Sequence, residues 1–101
     1  MILVYTTCKN KSEAIKISNY LVKNKLCACT NLFPINSVYR WKNKIIKDSE
    51  FVLIIKTKSD RFNIISKEIK KIHSYKTPCI MKIKVYGADA RYLKWLNSCT
   101  K

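Results

Sequence analysis

The sequence predicts an α+β sandwich of the ferredoxin-like, split β-α-β kind, in which an antiparallel sheet carries helices on one face. Three observations predict it. Apolar residues alternate or run on over short segments at residues 2–7, 28–41, 45–57 and 81–85, the mark of strands. Between them, two segments repeat apolar residues at spacings of three and four, the mark of helices with one buried stripe. The resulting order, β-α-β-β-α-β and a last helix, folds two β-α-β halves into one sheet.

The first strand covers residues 2–7. Asn10, with Glu13 three residues on, then reads as a helix start in which a side-chain oxygen caps exposed amides and the glutamate reaches back. Ala14, Ile17, Leu21 and Val22 form that helix's buried face, and it ends near Lys25. The second strand, 28–41, contains Pro34, which cannot donate to a ladder and so predicts a bulge or bend. Lys42-Asn43-Lys44 reads as a hairpin tip, because asparagine tolerates the positive φ of tight turns.

Ile45 opens the return strand. Its continuous run Phe51-Val52-Leu53-Ile54-Ile55 suits a central strand covered on both faces. Phe62, Ile65, Ile69 and Ile72 define the second helix, with Ser59 or Asp60 available as its cap. After a loop at 73–78, Met81, Ile83 and Val85 alternate with Lys82 and Lys84, which predicts a strand whose lysines face water. A helix at 90–97, with Tyr92, Leu93, Trp95 and Leu96 covering more than one side, is expected to pack on a neighbouring copy. Hairpin strands of about 12 residues exceed the usual five or six, so their ends overhang the sheet. Pairing of such edges around a closed ring makes a cyclic homo-oligomer the expected assembly.

A chain of 101 residues suits one domain, 1–101, with 48% hydrophobic residues against disorder. No apolar run approaches the roughly 20 residues that span a bilayer, and the short apolar start is no signal-peptide core; a cytoplasmic, membrane-free protein is expected. Cys8, Cys27, Cys29, Cys79 and Cys99 follow no zinc or disulfide spacing and read as reduced packing thiols. The formal charge of +15 raises the prospect of nucleic acid, but the lysines are scattered and arginine is sparse. Phe51-Val52-Leu53 also lacks the glycines and alternating aromatics of an RNA-recognition strand, so any such binding is expected to be nonspecific and salt-sensitive. Enzyme classes find no support: no nucleophile motif, paired carboxylates or Gly-rich cradle accompanies the single histidine.

The stretch Lys25-Leu26-Cys27-Ala28-Cys29-Thr30-Asn31-Leu32-Phe33-Pro34, then Ser37-Val38-Tyr39-Arg40-Trp41-Lys42-Asn43-Lys44-Ile45, resembles the CutA pattern KLAACVNLLP followed by SIYxWKGKI. Leu53-Ile54-Ile55-Lys56-Thr57, the His73-x-Tyr75-x-x-Pro78 loop and Tyr92-Leu93-Lys94-Trp95-Leu96 extend the resemblance over almost the whole chain. It implies a non-enzymatic homotrimer with a fold like that of the PII signalling proteins, a role in divalent-metal tolerance, and copper binding in some members. An assembly scaffold or PII-like small-ligand signalling is the other role it implies.

The sequence departs from a copper-binding bacterial member, whose His-His pair is Ile72-His73 here. One imidazole rarely holds copper tightly, so His73 reads either as a loop residue or as a ligand completed by another group. Cys79, which replaces the family's glutamate after Pro78, is the candidate second ligand for copper or another divalent ion. Trp41 and Tyr39 read as interface packing or as ligand stacking. Trp41, Lys56 and Tyr75 are the candidate lining of an inter-subunit cleft for a small anionic ligand.

Overall fold

The computed structural model describes residues 1–101 and runs β1 (Ile2–Cys8), α1 (Lys11–Lys23), β2 (Cys29–Trp41), β3 (Lys44–Thr57), α2 (Phe62–Ile72), β4 (Ile80–Lys84) and α3 (Ala90–Cys99). All pairings are antiparallel and the strand order is β2-β3-β1-β4, so the split β-α-β topology is present with β1 and β3 at the centre. Residues opposite each other across a ladder share a face. Ile2, Val4 and Thr6 therefore lie with Thr57, Ile55 and Leu53 on one face. That face is the core: Val4, Leu53 and Ile55 are buried together with Ala14, Ile17 and Leu21 of α1 and Ile65 and Ile69 of α2.

The first helix starts as its sequence predicts. The Glu13 N–H donates to Asn10 Oδ1 at 2.8 Å, while Glu13 Oε1 accepts the Lys9 N–H at 3.0 Å. The glutamate thus reaches back one residue beyond the cap. Helix α2 starts differently from expectation. Its cap position is Arg61, which makes no side-chain capping bond because a guanidinium has no acceptor, and the Arg61 N–H turns back onto the Lys58 carbonyl at 3.2 Å. Asp60 instead pairs with Arg61 Nη1 at 3.6 Å. Asp89 caps α3 by accepting the N–H groups of Arg91 and Tyr92 at 3.0 and 3.1 Å. The helix runs to Cys99, buries Leu96 and leaves Trp95 exposed.

The hairpin holds one unbroken register from Cys29↔Lys56 through Pro34↔Phe51 to Trp41↔Lys44. The bulge expected at Pro34 is absent, because β2 is an edge strand, where a missing donor is tolerated without one. Lys42 and Asn43 close the hairpin with φ of 48° and 65°, as a two-residue turn of the I′ kind requires. The ladder of β1 with β3 ends at Cys8↔Phe51, so the hairpin beyond Glu50 has no third strand beside it. This overhang gives the molecule its long dimension, 46 Å against 25 and 21 Å.

β4 corrects a third expectation. Its alternation is real, but Lys82 and Lys84 pair with Val4 and Ile2 on the helix-bearing face. There Lys82 Nζ sits over the Phe62 ring, 5.7 Å from its centroid, a cation–π contact. Met81 and Ile83 fall on the opposite face with Tyr5 and Leu3, and stay 47% and 41% exposed. The sheet therefore presents an apolar open face as well as a covered one.

A lysine at φ 48° is in a conformation that costs an L side chain free energy a glycine does not lose. Lys42→Gly is expected to raise stability by about 0.5–1 kcal/mol in urea denaturation. A fall in stability would show that the Lys42 side chain, not the turn conformation, matters at this position.

Candidate functional site

At the point where β1 stops and the hairpin continues, the 73–79 loop folds in beside β3. His73 fixes that loop. Its Nδ1 accepts the Tyr75 N–H at 3.0 Å, which leaves the proton on Nε2 to donate to the Thr7 carbonyl at 2.8 Å. Glu13 completes the attachment: Oε2 accepts the Ser74 N–H at 2.8 Å while Oε1 holds Lys9. The capping glutamate of α1 thus also anchors a loop 61 residues away. Burial works against the charged form of Glu13. The Ser74 and Lys9 donors and nearby His73 outweigh it and hold the carboxyl below its ordinary 4.5.

Cys8, Glu13 and His73 bring ligand atoms within 4.8 Å of one another, the one such cluster in the chain. Their chemistry as placed does not suit a divalent ion. Both histidine nitrogens and both glutamate oxygens are engaged. The Cys8 thiol is pushed up to about 12, by burial first and then by Glu13 and Glu50. The trio is a hydrogen-bonded lock on the loop.

The locked loop and the hairpin overhang flank an open cavity of about 800 Å³ lined by Trp41, Tyr39, Val38, Glu50, Tyr75 and Cys79, among others. Glu50 is only 7% exposed. Its Oε2 accepts the Tyr75 hydroxyl at 2.7 Å. The Tyr75 phenol and the Cys79 thiol are both raised, by burial first, with the Glu50 carboxylate adding to each.

Of the residues singled out in the sequence, the structure brings Trp41, Tyr75 and Cys79 to this one cavity. His73 is set behind it, in the lock, and Cys79 stands outside the His73 cluster. Lys56 is elsewhere: its Nζ lies 5.7 Å from the centroid of the Tyr92 ring, and the lysine on the cavity wall is Lys76. Glu50 was not visible as a site residue. It precedes the apolar run of β3 and belongs to no motif, and only the end of the β1 ladder shows where it sits.

The CutA1 divalent ion tolerance protein model matches residues 2–99. The chain belongs to the CutA1 family. It is 40% identical over 97 residues to the divalent-cation tolerance protein CutA of Thermotoga maritima, a match covering 96% of each. The crystal structure of CutA1 from Pyrococcus horikoshii superposes with a TM-score of 0.97 at 39% identity, covering 100% of this chain and 99% of that one. A CutA from Archaeoglobus fulgidus, described as a periplasmic divalent cation tolerance protein, gives 0.97 at 37% identity over 100% of both chains. This CutA-family chain has no helix long and apolar enough to cross a membrane.

Because the folded Glu13 carboxyl lies below its ordinary value, its contribution is present above that value and lost as pH falls through the folded one. Glu13→Gln is expected to cost about 1–3 kcal/mol at pH 7, since one of two backbone donors loses its partner. The loss of stability on acidification should become shallower than in the parent. Denaturant midpoints measured across pH check both; an unchanged acid limb would contradict the lock.

Proposed function

We propose that this chain serves divalent metal-ion tolerance in the cytoplasm as a non-enzymatic homotrimer, with the hairpin cavity as its working site. Glu50 is the observation that carries this reading. A carboxylate 7% exposed, held through one oxygen, faces a cavity that also presents the Cys79 thiol. Copper or another divalent ion would be met there by the Glu50 carboxylate and by Cys79, whose raised thiol would give up its proton on binding the ion, a hard and a soft donor. His73 serves that site from behind, by fixing the loop that carries Tyr75 and Cys79.

The trimer is supported by what the single chain leaves uncovered. Phe33, Met81 and Ile83 are exposed on the open face of the sheet, and β2 and β4 are unpaired edges. The overhanging hairpin offers further backbone for pairing with a neighbour.

A second reading, PII-like signalling by a small organic ligand, is favoured by size. A cavity of about 800 Å³ far exceeds what an ion fills and falls in the range that holds small molecules.

Sedimentation velocity is expected to show a trimer, and Met81→Asp combined with Ile83→Asp to shift it toward monomer. In titration of the reduced protein with Cu(I), Cys79→Ala and Glu50→Gln should each weaken binding about tenfold or more. Copper binding that ignores both substitutions would sink the cavity as the metal site.

A further inference from the structure

We propose that the hairpin cavity binds a small organic cation, a protonated alkylamine, with Glu50 as its counter-charge and Trp41 and Tyr39 as its aromatic walls. The proposal rests on the cavity being the working site, and it names the ligand class. A buried carboxylate is costly unless it is paired. Glu50 has one hydrogen bond, to Tyr75 through Oε2; Oε1 takes none within the protein and keeps contact with solvent. No cation of this chain supplies the missing charge. The chain has 21 Lys and Arg, yet its two ion pairs are Arg61–Asp60 and Lys71–Glu68. Even Lys76, on the cavity wall, makes no ion pair with Glu50.

The rest of the lining suits an ammonium group on an alkyl chain. Glu50 Oε1 can accept an N–H bond, and charge-assisted bonds of this kind are the stronger ones. The faces of Trp41 and Tyr39 attract a cation through the ring quadrupole, Trp most of all. Ile46, which pairs with Tyr39 across the hairpin and so shares its face, meets the alkyl part. This places a cation, not the small anion read from Lys56, in the cavity, since Lys56 lies outside it. A divalent ion and the alkylamine would both draw on Glu50, so each should displace the other.

The test is isothermal titration of the full chain, in its native assembly at neutral pH, with n-butylammonium, n-butanol and butanoate. Saturable binding of n-butylammonium is expected, at least about tenfold tighter than of butanol or butanoate, and weakened about tenfold or more in Glu50→Gln. Trp41→Leu, at the exposed hairpin end, should weaken it too, and circular dichroism confirms that both variants fold. Butanoate or butanol binding as tightly, and lost in Trp41→Leu, would overturn the cation class and leave the cavity standing. No binding of any of the three, with Cu(I) binding still dependent on Glu50, would overturn this inference alone. No binding of any, with Cu(I) indifferent to Glu50, would overturn both.

Discussion

The unequal length of the two ladders on β3 is the constraint on which the site depends. β3 pairs with β2 from Lys44 to Lys56 but with β1 only from Phe51 to Thr57. Within the shared stretch, Leu53 and Ile55 are sealed against α1 and α2. Beyond it, the sheet narrows to two strands, and Glu50 is the first residue with no β1 neighbour. A carboxylate at that position can be deeply covered yet meet a cavity. One residue later it would share a face with the apolar core, and several residues earlier it would stand on a solvated hairpin.

The space left by β1 is filled by a loop whose position follows from three hydrogen-bonded side chains. His73 ties it to the end of β1 through Thr7, and Glu13 ties it to the start of α1 through Ser74. Tyr75 then delivers its hydroxyl to Glu50. Each bond is modest in water, but the partners are part-buried, where an unmade bond costs more than a made one gains. The same engagement explains why the Cys8, Glu13 and His73 cluster, for all its ligand chemistry, is better read as architecture. It also separates two roles often expected of one histidine: holding an ion and holding a loop.

Much of this fold was legible in the sequence, because helical and strand periods, a capping pair and a turn asparagine all report on local structure. The order of elements, the central place of β3 and the I′ hairpin tip follow from them. What depends on neighbours was not legible. Lys82 and Lys84 looked like the wet side of β4 and do stay exposed, but the β1 register puts them on the helix face, where the strand is at an edge and the Phe62 ring meets the Lys82 ammonium. Pro34 looked like a bulge and is accommodated by edge placement. In the site, Trp41 and Tyr75 of the resembling pattern converge with Cys79, which departs from it, whereas Lys56 lies elsewhere. Glu50 was invisible because its meaning lies in where another strand ends, and Glu13 showed its capping role but not its second oxygen's reach across the fold.

The carboxyl carbon of Glu50, observed by carbon-13 NMR in the folded protein and assigned by its loss in Glu50→Gln, is the most direct reporter on the site. On titration with a divalent ion or with an alkylammonium, that resonance is expected to move saturably while the Glu13 carboxyl and the His73 ring stay in place. Movement of the Glu13 and His73 signals, with Glu50 unchanged, would contradict this and return the metal chemistry to the lock.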